Sequence, residues 1–168
     1  VLYTAAFGAL AGYRNEPGLE TLPDPDNIRD YDFSRDEEFM HMSVRNFISW
    51  LKRNTEKYHI PMYNVYMCRD CRKLNIWRRK VLPTYKANRM VEKKPSEFSA
   101  RPVFNAFYEG GIIHKIQNSL GFNQLFHENL EADDLLAICS KHILDSKPSA
   151  NVYMFANDGD LKQLVVND

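Results

Sequence analysis

Apolar residues recur at helical spacing from Met40 through Val44, Phe47 and Ile48 to Leu51, with polar residues between them. This spacing predicts a long amphipathic helix over about 35–58. Just ahead of it, Ser34-Arg35-Asp36-Glu37 has the form of a capping box, with Ser34 at the N-cap and Glu37 three residues on. The small apolar residues of 1–11 predict another helix. Between the two, Gly12, Pro17, Gly18, Pro23 and Pro25 mark a loop over 12–33.

Further along, Tyr63-Asn64-Val65-Tyr66-Met67-Cys68 reads as a short buried strand, with Cys68 at its buried end. Residues 69–77 read as a turn or loop, and Pro83 and the basic, polar stretch 84–98 as a mobile segment. Helical periodicity returns from Phe104 to Leu120 and stops at Gly121. Phe104, Phe107 and Tyr108 belong to the core in this reading. Gln124-Leu125-Phe126 predicts a short strand, Leu130–Leu144 a helix stopped by Pro148, Asn151–Ala156 a buried strand, and Asp160–Val166 the opening of another helix. Strands alternating with helices predict an α/β fold around a mainly parallel sheet. Such sheets gather ligands at the carboxyl ends of their strands. Asp70 and Asp158 fall just after predicted strands.

The length of 168 residues fits one domain spanning 1–168. No apolar run approaches the roughly 20 residues that cross a bilayer, and no membrane association is expected. The opening Val1–Phe7 lacks a basic leader and a cleavage site, so no secretory signal is expected, and the true N-terminus is expected upstream of Val1. Cys68, Cys71 and Cys139 are odd in number, which points to a reducing, intracellular setting rather than a disulfide framework. Cys68-Arg69-Asp70-Cys71 is a lone CxxC, and zinc would need two more ligands than it supplies.

Net charge is zero, yet the charges are unevenly spread. From Arg78 to Lys94 run Arg78, Arg79, Lys80, Lys86, Arg89, Lys93 and Lys94 against the single acid Glu92. From Glu128 to Asp134 run Glu128, Glu131, Asp133 and Asp134 with no base. On a helix, Glu131 and Asp134 share a face, while Asp133 points roughly 100° away from Asp134. Carboxylates so close repel one another, and a hard cation such as Mg²⁺ would relieve the repulsion. A solvated acidic first turn, favoured by the helix macrodipole, is the other reading of this segment. Asn157-Asp158-Gly159-Asp160 has the same two readings, a turn with an Asp cap or a further pair of ligands. Taken with Asp70, these segments can bring carboxylates together at one sheet end, which favours a metal.

The stretch Ile76–Arg89 interleaves Trp77 and Tyr85 with Arg78, Arg79, Lys80, Lys86 and Arg89. Cations on phosphates with bases stacked on aromatic rings suit single-stranded nucleic acid. A solvated basic loop with Trp77 in the core is the alternative.

Three ordered segments resemble the family of 5′-3′ exonucleases and flap endonucleases with a PIN-like nuclease domain, above all its phage and bacterial branch. They are Asp70 followed by Trp77-Arg78 and Pro83-Thr84-Tyr85-Lys86-Ala87-Asn88-Arg89; Glu131-Ala132-Asp133-Asp134 after Gly121; and Asp158-Gly159-Asp160 running into Leu161-Lys162-Gln163-Leu164. The resemblance covers about 60–166 and implies a three-layer domain with a basic helical arch. It also implies that Asp70, Glu131, Asp133, Asp134, Asp158 and Asp160 hold two Mg²⁺ or Mn²⁺ ions, directly or through water. Lys86 and Arg89 match arch residues that engage the scissile phosphate, and Arg78 matches a basic position on the DNA path. Arg79, Lys93 and Lys94 add to the nucleic-acid surface, and Tyr85 is a candidate for base stacking. The implied activity is cleavage of DNA carrying a 5′ end or flap, with RNA or RNA–DNA as further substrates. A monomer is expected, in the cytoplasm of a bacterium or a virus-infected cell. The family's first strand, which ends in Asp-Gly, and its downstream helical-hairpin module are expected outside 1–168. A PIN-type ribonuclease and a catalytically silent nucleic-acid-binding module are the rival readings.

Overall fold

The computed structural model describes residues 6, 8–11, 28, 30–87, 98–156 and 158–165. Its elements are α1 (Glu37–Lys57), β1 (Tyr66–Arg69), α2 (Trp77–Val81), α3 (Arg101–Tyr108), α4 (Ile112–Leu120), β2 (Asn123–Phe126) and α5 (Ala132–Ser146). Short 3-10 turns occupy Phe33–Arg35, Met62–Asn64 and Gly159–Leu164. The chain packs as two compact units, one of Val1–Val65 and Val91–Gly121, the other of Tyr66–Met90 and Phe122–Asp168.

The first unit is built on α1, whose inner face buries Phe39, Met40, Phe47 and Leu51. Its N-cap is Asp36, whose carboxylate accepts from the Phe39 amide at 2.9 Å. Ser34 is not the cap: it lies in the preceding 3-10 turn, where the Asp32 side chain accepts from its amide at 3.2 Å. A carboxylate two residues nearer the helix takes the first-turn amide instead. Phe33, Phe39 and Phe98 cluster with ring centroids 4.5–5.9 Å apart, and Phe107 meets Phe47 edge-on at 6.0 Å. The helix expected from Phe104 to Leu120 is two helices, parted at Gly111, whose φ of 75° lies in the left-handed region. Phe107 is fully buried and Phe104 and Tyr108 half-buried, as core positions require. Residues 6 and 8–11 are helical, as expected.

The second unit holds the sheet. β1 and β2 pair in parallel, with Tyr66 opposite Asn123 and Arg69 opposite Phe126, and α5 packs against both strands. The α/β class with parallel pairing is therefore borne out. β1 starts at Tyr66 rather than Tyr63, because Pro61 leads into the 3-10 turn first, and its residues are exposed or half-buried. The strand expected over 151–156 does not form. Among the described residues the segment joins no ladder, and Tyr153 and Phe155 are 47% and 36% exposed. An apolar run becomes a strand only where a neighbour satisfies its backbone. Where a helix was expected to open over Asp160–Val166, the described residues form a 3-10 turn over Gly159–Leu164, with Leu161 buried. Among the described residues no helix is long and apolar enough to cross a membrane. Residues 88–97, within the segment expected to be mobile, lie outside the described residues.

Candidate carboxylate and nucleic-acid site

The site lies wholly in the second unit, where the loop after β1 runs along the start of α5. The Cys71 amide donates to the Leu130 carbonyl and the Trp77 amide to the Asn129 carbonyl, each at 3.0 Å. This pairing brings Asp70 to the helix, where its Oδ1 accepts from the Ala132 amide at 2.7 Å. That amide belongs to the first turn of α5, which has no carbonyl partner within the helix and favours negative charge.

Glu131 is the N-cap residue of α5, and its amide donates to Asp134 Oδ2 at 3.0 Å, closing the first turn. Both carboxylates face cations. Arg78 forks onto Asp134, Nη2 to Oδ1 at 2.6 Å and Nη1 to Oδ2 at 2.8 Å, and also reaches Glu131 at 3.2 Å. Such a bidentate, charge-assisted fork is the strong form of this contact. Lys86 Nζ donates to Glu131 Oε1 at 2.6 Å, and the Tyr85 hydroxyl donates to Oε2 at 2.9 Å. Trp77 Nε1 donates to Asp134 Oδ2 at 3.2 Å. The rings back the cations: Arg78 lies 4.8 Å from the Trp77 centroid and 5.8 Å from that of Tyr85, and Lys86 lies 5.2 Å from Tyr85.

Electrostatics divide the carboxylates. Burial opposes the charge on Asp134, but hydrogen bonds from Arg78, the Glu131 amide and Trp77 outweigh it and hold the carboxyl below its usual value. Asp133 is pushed above it, first by burial and then by the charges of Asp158 and Asp70. Asp70, Asp133 and Asp158 thus share one electrostatic neighbourhood. Asp158 is the N-cap of the last 3-10 turn, its Oδ1 accepting from the Asp160 amide at 2.9 Å, and Asp160 is exposed beside it. Among the described residues no three His, Cys, Asp or Glu side chains converge on one point as metal ligands. The donor set still suits a divalent cation in kind, since its members are oxygens and Asp133 carries like charge from two neighbours.

Of the other expected residues, Arg79 is half-buried, and among the described residues its Nε has no hydrogen-bond partner. Arg89, Lys93 and Lys94 lie outside the described residues. Sequence reasoning missed the bond from Trp77, which is 41% exposed rather than core, and that from the Tyr85 hydroxyl. The signal lay in the dipeptides Trp77-Arg78 and Tyr85-Lys86, each joining a ring with a polar tip to a cation. The cysteines are free thiols, and burial drives Cys68 up to about 11.

The parallel α/β scaffold sets acidic side chains beside ring-backed cations, an arrangement compatible with a nuclease domain. The family model described as 5′-3′ exonuclease, N-terminal resolvase-like domain, matches residues 28–168, and the chain belongs to this family. It is a PIN-like domain with a nuclease role, and its substrates are nucleic acids. No curated protein and no solved structure matches the chain.

Proposed function

We propose that the chain is a divalent-metal-dependent 5′ nuclease that hydrolyses phosphodiester bonds in DNA bearing a 5′ end or flap. The observation that supports this reading is the loop after β1 held against the start of α5, which sets Asp70 on the Ala132 amide next to the ion-paired Glu131 and Asp134. Asp70, Glu131, Asp133, Asp134, Asp158 and Asp160 would hold Mg²⁺ or Mn²⁺, as two ions bound directly or through water. Bound there, such ions lower the pKa of a water and stabilise charge on phosphoryl oxygens.

The chain's own groups supply the rest. Lys86 and Arg89 place positive charge at the scissile phosphate, where it counts most as negative charge builds. Arg78, Arg79, Lys93 and Lys94 bind the backbone, and Tyr85 stacks on a base while its hydroxyl orients Glu131. The Tyr85-Lys86-Ala87-Asn88-Arg89 run favours this reading over a PIN-type ribonuclease. A monomer working in DNA replication or repair, in the cytoplasm of a bacterium or virus-infected cell, completes the proposal.

The test is cleavage of 5′-end-labelled flap DNA, with matched RNA and RNA–DNA substrates, in Mg²⁺, Mn²⁺ or EDTA. Cleavage of DNA that stops with EDTA is expected. Cleavage of RNA alone would make the chain a ribonuclease, and binding without cleavage under every condition would make it a silent binding module.

A further inference from the structure

The cations that the proposed reaction needs on the substrate are, in this structure, spent on the carboxylates that it needs for metal. We infer that Arg78 and Lys86 form a latch across Glu131 and Asp134, so that nucleic-acid phosphate and divalent cation each bind more tightly once the other has opened it. The inference rests on the nuclease reading above and concerns the control of that same site.

The geometry is that of a closed clasp. Both oxygens of Asp134 are taken by the Arg78 fork, and both oxygens of Glu131 by Lys86, Tyr85 and Arg78. The Glu131 and Asp134 side chains are only 9% and 12% exposed, whereas those of Arg78 and Lys86 are 32% and 27% exposed. The cations therefore lie on the solvent side of the carboxylates. A metal ion reaching Glu131 or Asp134 from solvent must displace them, and a phosphate recruiting Arg78 or Lys86 must break the same pairs. A guanidinium fork fits phosphate as well as it fits carboxylate, so the exchange keeps its geometry. Asp70 and Asp158 accept instead from backbone amides, of Ala132 and Asp160, and stand outside the clasp.

The backbone at Lys86 is unusual as well. Its φ is 54°, in the left-handed region that few non-glycine residues adopt. Backbone held in this way clusters at switch segments, where release returns the strain. Opening the latch frees the Lys86 side chain from Glu131. Phosphate and metal both prefer the open state, so linkage makes the effect reciprocal.

The experiment titrates Mn²⁺ into the full chain and reads the free ion by its electron paramagnetic resonance signal. It is run with and without a short single-stranded DNA whose phosphorothioate linkages resist hydrolysis, correcting for Mn²⁺ bound by the DNA alone. The wild-type chain is expected to bind Mn²⁺ about tenfold more tightly with the DNA present. Lys86→Gln, which removes the charge and leaves a polar side chain one bond shorter, is expected to bind Mn²⁺ about fivefold more tightly than wild type without DNA, and to lose most of the DNA effect. Simple bridging of the metal by phosphate would leave the DNA effect intact in Lys86→Gln, and that outcome overturns the latch. A wild-type affinity that DNA does not change also overturns it, and needs no variant. Absence of Mn²⁺ binding in every form would instead sink the nuclease reading itself.

Discussion

Asp133 and Asp134 are neighbours in the chain and meet opposite environments. Asp134 is held below its usual value by Arg78, so it contributes stability that is present above about pH 3.8 and lost as pH falls through its lowered folded value. Asp133 is raised, so its contribution is full below about pH 3.8 and lost as pH rises through its raised folded value. At neutral pH the ionised Asp133 therefore costs stability. Asp133→Asn is expected to raise the melting temperature by about 2 °C in metal-free neutral buffer while weakening Mn²⁺ binding. Calorimetric scans at two pH values check both signs, because the gain should vanish in acid. Asp158→Asn is expected to abolish cleavage with DNA binding largely kept, since the proposal makes Asp158 a metal ligand and not a phosphate contact. Filter binding beside the flap assay reads this, and unchanged cleavage would remove Asp158 from the site. At this scale the residue types were legible and their partners were not. Carboxylates near a basic run can be seen in the chain, but 56 residues separate Arg78 from Asp134.

Helix ends show the same boundary among the elements. Gly121 was readable as a stop, and it closes α4 at φ 80° with open space where a Cβ would sit. The need for glycine there is thus conformational rather than steric crowding. Gly121→Ala is expected to cost about 1 kcal/mol and Gly121→Asn less, measured by urea denaturation. Equal costs for the two would argue against a left-handed cap. The start of α1 was less legible, because Ser34 and Asp36 both have capping chemistry and only the backbone path through the 3-10 turn selects Asp36. α2 escaped the periodicity because Trp77–Val81 is barely more than one turn. Asn151–Ala156 misled for the opposite reason. Its apolar run is what a buried strand looks like, but strand formation depends on a neighbour that no local pattern reports.

For the whole molecule, family membership over residues 28–168 and the parallel pairing of β1 with β2 together frame the chemistry. If the carboxylates bind metal in the folded state only, Mn²⁺ at a hundredfold over its dissociation constant should add about 2.7 kcal/mol. A rise in melting temperature of about 5 °C or more would follow, absent with EDTA and absent in Asp158→Asn. No shift at saturating Mn²⁺ would count against binding at these residues. The amino-acid sequence by itself determined the helices of regular period, the left-handed stop at Gly121, the α/β alternation and the residue types from which the site is made. Those features depend on neighbours within a turn or two of the chain. Tertiary structure alone decided that Asp70 caps the start of α5, that Arg78 and Lys86 clasp Asp134 and Glu131, and that Asp133 is left beside Asp70 and Asp158. The physical reason is the pairing that holds the loop after β1 against the start of α5: it joins groups 45 to 62 residues apart, over which no local pattern carries information.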